Sequence, residues 1–357
     1  MEMTRIPVFL LTGFLGSGKT TLLNQLVKLP EFSRTLVIIN EFGATSLDHL
    51  LVSRSSEEQI VELSSGCICC SIRGDLAKTL LDASWRFARN GQRQFDQIVI
   101  ETTGLAEPTP ILHTLMNTPK LFDTYRLQGT VTVVDAVNGA DTLQHHVEAQ
   151  KQVGVADLLL ISKTDLANET QLSALQQQLR RFNPTAPQQL VLHGDTQVAS
   201  ILALDHVEPI DSKTELRNWL PTAQLSFSPV SGPVSGSAGG AIGAPAGRLL
   251  RANTPEPTDL NRHNDQIRAY CFVLEQPIKV AALDQWLDAL LPTLGPKLLR
   301  LKAILNVDGF PGPLVVHAVQ HLLHPAGVMT HWPDEQGVDP AKAAQARHSK
   351  LVFITDA

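Results

Sequence analysis

The sequence predicts an α/β fold: a mostly parallel sheet covered by helices, followed by a smaller C-terminal α+β domain. Three observations predict it. Short apolar runs alternate with helical stretches from about residue 6 to residue 220. A Gly-rich loop joins the first apolar run to the first helical stretch. A Gly/Ser/Ala/Pro-rich stretch then breaks the pattern before strands and helices resume.

The expected strands of the first part are Val8–Leu11, Thr35–Ile39, Gln97–Glu101, Thr130–Val134, Leu158–Ser162 and Gln189–Leu192. Helices lie between most of them, which is the signature of parallel strands joined by crossovers. After Gly18 a helix carries Leu22, Leu23, Leu26 and Val27 at helical spacing. A second is expected from Asp75 to Arg89, with Leu76, Leu80 and Phe87 inward and Asn90-Gly91 as its stop signal. From about Phe227 to Glu256 the chain is too poor in apolar residues to build a core, so it reads as a linker. The expected division is a nucleotide domain at 1–222, a linker at 223–266 and a C-terminal domain at 267–357. In the last, strands at Ala269–Leu274, Leu298–Leu305 and Leu351–Ile354 accompany helices around Ala281–Leu291 and Pro313–Leu323.

Composition removes several function classes. The 357 residues are 43% hydrophobic, enough for a sizeable core, with a net charge of −6. No basic run exceeds a pair and aromatics are 5%, which argues against nucleic acid and anionic membrane as partners. No apolar run nears the ~18 residues of a membrane span. Val8-Phe9-Leu10-Leu11 after Arg5 is too short for a signal-peptide core, and no small-residue cleavage site follows. A cytoplasmic, reducing location is expected. There three of the four cysteines, Cys67, Cys69 and Cys70, point to metal or redox chemistry rather than a disulfide framework. Cys271 stands alone in an apolar run and is expected in the core.

Gly13-Phe14-Leu15-Gly16-Ser17-Gly18-Lys19-Thr20 is a phosphate-binding loop, the P-loop of nucleoside triphosphatases. Gly13, Gly16 and Gly18 let the backbone bend sharply, so that its N–H groups and Ser17 wrap the phosphates. Lys19 would reach the β- and γ-phosphates, and Thr20, followed by Thr21, would ligate Mg²⁺ at the start of the helix. Gln97–Glu101 then ends an apolar strand on an acid, with Gly104 three residues later. Glu101 would order the Mg²⁺ shell and the Gly104 N–H would meet the γ-phosphate. An ordinary strand-end carboxylate is the plainer reading.

Ser162-Lys163-Thr164-Asp165 follows another apolar strand. Guanine offers two adjacent donors that one carboxylate can accept, and adenine offers no such pair. Asp165 suits that role, with the Lys163 stem over the ring. Ser162 stands where an Asn is usual and can make fewer bonds. An ATP-using protein is the alternative.

Gly66-Cys67-Ile68-Cys69-Cys70 supplies thiolates suited to Zn²⁺, Cu(I) or Co²⁺. In an extended stretch Cys67 and Cys69 share one side and Cys70 faces the other. Three such thiolates leave a site open, to be completed by a distant residue or a partner. A redox pair or buried structural thiols are the alternatives. Asn40-Glu41-Phe42-Gly43, with Asp48 beyond, ends the second strand. Glu41 could serve Mg²⁺, a water or the thiolate metal, and a plain strand-end acid is the alternative. His317 and His321 fall four apart on the expected helix with His324 nearby, and a partly exposed helix face is the plainer reading.

Together these motifs resemble the CobW-like GTPases, a P-loop family of metal chaperones of the Cys-x-Cys-Cys type. The resemblance rests on residues 13–24, 40–43, 66–70, 101–108 and 162–165, and on the last 90 residues with Val319-Gln320-His321 and Lys350-Leu351-Val352-Phe353-Ile354. It implies slow hydrolysis of GTP to GDP with Mg²⁺, Lys19, Glu41 and Glu101 acting in catalysis. It also implies zinc, with cobalt the alternative, at Cys67, Cys69 and Cys70, and delivery to a metal-dependent client protein. A homodimer stays open. Two departures stand out: Ala44 replaces an acid that many members carry, and residues 227–256 contain no His, which argues against metal storage. Two other readings compete: a P-loop kinase acting on a small molecule, and a non-catalytic nucleotide-dependent metal sensor.

Overall fold

The computed structural model describes residues 5–40, 58–62, 68–72, 75–192, 198–202, 204, 220, 228–229, 266–295, 297–320, 322–323, 326–329, 332 and 347–356. The chain forms two compact units, Met1–His206 and Val207–Ala357. Nearly all of the expected linker lies outside the described residues.

The first unit opens with strand β1 (Ile6–Thr12), helix α1 (Lys19–Leu26) and strand β2 (Thr35–Asn40). Strands β3 (Glu58–Glu62) and β4 (Ile68–Ile72), helix α2 (Leu76–Arg86) and the short pair β5 (Ala88–Arg89) and β6 (Gln92–Arg93) come next. Then follow β7 (Gln97–Thr102), α3 (Thr109–Asn117), α4 (Pro119–Thr124), β8 (Tyr125–Asp135), α5 (Gly139–His145) and α6 (Val147–Gly154). The unit continues through β9 (Leu158–Ser162), α7 (Glu169–Phe182), β10 (Gln188–Leu190) and α8 (Val198–Leu202). Eight strands form one sheet in the order β10-β9-β8-β1-β7-β2-β4-β3, and β3 pairs with β4 antiparallel while the other pairings are parallel.

β1, β7 and β9 are buried almost throughout because helices cover both faces of a parallel sheet. Phe9, Leu11, Val37, Val99, Val131, Val133 and Leu160 from five strands pack with Leu22, Leu23 and Leu26 of α1. This packing seats α1 against the sheet with its first turn at the strand ends, where open α/β sheets bind ligands.

The second unit contains β11 (Ser228–Pro229), β12 (Ile267–Leu274), α9 (Val280–Leu294), β13 (Leu298–Leu305), β14 (Leu314–Val319), β15 (Leu322–Leu323), β16 (Gly327–Val328) and β17 (Ser349–Asp356). Its sheet runs β11-β12-β17-β13-β14-β15, with β16 on β14. Leu283 and Leu290 of α9 pack on Leu301, Ala303 and Leu305. Cys271 is buried with Ile304, Val315 and Val352, as its apolar surroundings predict; burial raises its thiol pKa to about 11.

Two elements differ from expectation. α2 stops at Arg86, and Asn90-Gly91 is the tight turn of the β5–β6 hairpin, with φ of +52° and +74°. Asn-Gly serves a helix stop and a primed hairpin turn equally, and here the flanking residues pair. Residues 314–319 form a strand, not the expected helix around Pro313–Leu323. Val315, Val316 and Val319 favour a pleated surface, and an apolar run this short does not separate the two by periodicity. The helical His317/His321 pair therefore does not exist. His317 is buried in β14 opposite Lys302 of β13, and His321 and His324 lie outside the described residues.

Candidate functional site

The site is built on the end of β1. Gly13 has φ +142°, and a Cβ there would stand 2.2 Å from the Val133 carbonyl oxygen. Gly18, at φ +97°, is the N-cap of α1. These positions admit only glycine, and they leave the first N–H groups of α1 turned into the loop. Ser17 is buried, and its Oγ has no hydrogen-bond partner among the described residues. The loop thus presents a cradle of backbone donors with the Ser17 hydroxyl among them.

Lys19 opens α1, and its Nζ donates to the carbonyls of Gly13 (2.8 Å) and Phe14 (3.1 Å). Burial lowers its pKa, and the Glu101 carboxylate opposes that shift. The ammonium is thus held inside the loop by two neutral carbonyls. Thr20 Oγ1 donates to Glu101 Oε1 at 2.8 Å, which brings together two residues 81 positions apart. A hydroxyl and a carboxylate side by side are hard oxygen ligands of the kind Mg²⁺ takes. Thr21 is exposed on α1.

Gly104 follows β7, and a Cβ there would lie 2.4 Å from Leu15 Cα, so this segment touches the phosphate loop through bare backbone. Helix α6 holds the same segment from behind. Gln152 Nε2 donates to the carbonyls of Gly104 (3.1 Å) and Ala106 (3.0 Å), and Lys151 pairs with Glu107 at 2.8 Å. His146, the residue before α6, has its ring 4.5 Å from that of Phe14. Gln152 was not singled out from sequence, and a lone Gln in a helix carries no signal that would have found it.

β9 delivers the base-reading candidates. The Ser162 hydroxyl donates to the Ser17 carbonyl at 2.5 Å and lies 3.3 Å from the Val134 carbonyl, so it ties the end of β9 under the phosphate loop. Lys163 adopts φ +54° and donates from Nζ to Asp135 Oδ2 at 2.8 Å. Asp165 is exposed. Asp135, at the end of β8, was not singled out from sequence. An apolar strand ending in an acid was the signal for Glu101, and the same signal was present here.

Glu41 and Cys67 lie outside the described residues. Cys69 and Cys70 fall in β4, where their backbones pair with Val37 and Ile38 of β2. Among the described residues no cluster of three or more His, Cys, Asp or Glu could hold a metal. No helix among them is long and apolar enough to cross a membrane.

Comparison with known proteins agrees with this geometry. Residues 7–189 match the CobW/HypB/UreG nucleotide-binding domain, and residues 267–357 match the cobalamin synthesis protein cobW C-terminal domain. The chain is 32% identical to the zinc chaperone YjiA of Escherichia coli K12, over 99% of this chain and 94% of that one. The crystal structure of Zn(II)-bound YjiA GTPase superposes with a TM-score of 0.69 at 32% identity, covering 99% of this chain and 95% of that chain. The zinc-regulated GTPase metalloprotein activator 1 of Schizosaccharomyces pombe is 34% identical over 56% of this chain and 49% of its own length. Two matched domains and a full-length relative, laid over the glycine cradle and the Thr20–Glu101 pair, show that the chain belongs to the CobW family.

Proposed function

We propose that this protein binds and hydrolyses GTP and uses the nucleotide cycle to load zinc and release it to a metal-dependent client protein. The observation that carries the nucleotide part is the Thr20–Glu101 contact beside a buried Lys19 in a glycine cradle. Gly13, Gly16, Ser17 and Gly18 supply the wrap, and Lys19 leaves its two carbonyls for phosphate oxygens. Thr20 and Glu101 would hold Mg²⁺, which when bound neutralises charge on the phosphates. Gly104 offers its N–H to the γ-phosphate, Lys163 and Asp165 take guanine, and Ser162 positions the loop rather than the base.

Cys67, Cys69 and Cys70 would carry zinc as cargo, with Glu41 as a further ligand and Co²⁺ as the competing metal. β4 hydrogen-bonds to β2, and β2 to β7, so the cysteine strand is one strand removed from the strand that ends near Glu101. That ladder supports coupling between nucleotide and metal, and coupling is reciprocal.

The test is zinc affinity by competition titration in the GTP and GDP states, with phosphate release measured in parallel. A difference of about 5–150-fold is expected from typical coupling energies. Equal zinc affinities would end the carrier model. A phosphorylated small molecule in place of free phosphate would make the protein a kinase. Absent turnover with zinc and client present would make it a sensor. Cys67→Ser should lose tight zinc binding and keep GTP binding.

A further inference from the structure

The end of β8 carries a carboxylate for which the scheme above has no use. Asp135 pairs in register with Ser162, and the Ala136 N–H donates to the Ser162 carbonyl at 2.9 Å, so the tips of β8 and β9 are joined. Asp135 divides its two oxygens between two tasks. Oδ1 accepts from the backbone N–H groups of Val137 (2.8 Å) and Asn138 (3.3 Å), which shapes the turn into α5. Oδ2 accepts from Lys163 Nζ at 2.8 Å and from the Asn138 amide at 3.0 Å. The Asp135 side chain is 11% exposed and that of Lys163 37%. A half-exposed lysine would otherwise sample many rotamers, and ordering it costs entropy each time a base arrives.

The Lys163 backbone adds a second constraint. Its left-handed φ of +54° is rare for a residue with a side chain and persists only where surrounding contacts fix it. Asp165, two residues on, inherits its place from that turn. One carboxylate outside the base-reading motif thus anchors the motif's lysine, while the main-chain bond from Ala136 to Ser162 joins the strand tips beside it.

We propose that Asp135 is a positioning residue for guanine recognition: it holds the Lys163 ammonium so that the lysine stem is set across the base site before nucleotide arrives. The proposal rests on the reading of Lys163 and Asp165 as base contacts. It predicts that Asp135 acts on the ring and not on the phosphates. The stem covers the purine face whether or not the exocyclic amine is present, so GDP and IDP should suffer alike.

The experiment uses the full chain, with GDP, IDP and inorganic pyrophosphate as probes and Asp135→Asn as the variant. Asn keeps an acceptor for Val137 and Asn138 but removes the charge that holds Lys163. GDP and IDP affinity should fall about tenfold, the weight of one hydrogen bond to a charged group. Pyrophosphate affinity should not change. In a Lys163→Ala background the substitution should have almost no effect, because the group it positions is gone. An equal loss for pyrophosphate would make Asp135 a structural residue and overturn the proposal. A full additive loss in the Lys163→Ala background, or no loss in the wild-type background, would also overturn it. If Lys163→Ala alone leaves GDP binding intact, the base-contact reading fails first. If Asp135→Asn does not fold, Asp135→Ser replaces it, since Ser can still cap the turn but cannot reach Lys163.

Discussion

Each unit buries positive charge, the first where a loop meets a helix and the second on a strand. In the first, Lys19 lies in a loop of glycines, held by the Gly13 and Phe14 carbonyls, with Glu101 close enough to favour its charge. In the second, Arg300 and Lys302 lie two apart on β13, hence on one face, and His317 stands opposite Lys302. Burial lowers the Arg300 pKa to about 9, and burial also lowers that of Lys302 well below its ordinary value, with Arg300 adding repulsion. Both arrangements cost stability relative to an apolar side chain. The first sets the charge against loop carbonyls at the start of a helix, and the second sets it within one strand of a sheet. A buried cation marks a functional site when its surroundings leave it able to exchange partners, and burial alone does not.

That contrast is open to direct attack. The largest effect should come from Lys19→Ala, with GTP turnover falling at least about a hundredfold, as when one transition-state donor is removed. Its melting temperature should stay level or rise, because a desolvated charge has gone. A large loss of stability would mean that Lys19 is structural. Lys302→Met should do the reverse: turnover unchanged, and unfolding free energy higher, because the substitution removes a desolvated ammonium that Arg300 repels. Denaturant titration decides this, and destabilisation would show that the charge itself supports the second unit.

A smaller effect is expected for Ser162→Ala. The Ser17 carbonyl loses its donor, and GTP affinity should fall about fivefold for a contact of about 1 kcal/mol, measured by titration. The smallest effect is with pH. Native Lys19 and Lys302 both hold their protons less tightly than the ordinary 10.5. Below the native values the burial penalty is full. As pH rises through them towards 10.5 the unfolded chain holds more protons, so stability should climb. Chemical denaturation across that window should show the rise, and Lys302→Met should flatten it.

The phosphate cradle was legible because its chemistry is local: glycines at fixed offsets, then Lys19 and Thr20. Glu101 was legible because a strand that ends in an acid is a local pattern too. The Ser162–Ser17 bond and the Asp135–Lys163 pair were not, because both depend on the register of β8 and β9 and on the loop beneath them. The core strands came through for the same reason as the cradle, since residues buried on both faces make continuous apolar runs. The errors lay where one pattern serves two structures, in the Asn90-Gly91 turn and the short valine-rich run of β14. The metal motif stands apart: Cys69 and Cys70 have a backbone register, and Cys67 lies outside the described residues.

The contact of Gly104 with Leu15 has a consequence for sequence variation. Wherever two loops meet backbone to backbone, a side chain on either one has to displace the other. A saturation library at residue 104, selected for nucleotide turnover, should return glycine alone. Neighbouring Leu105, exposed to solvent, should accept many replacements in the same selection.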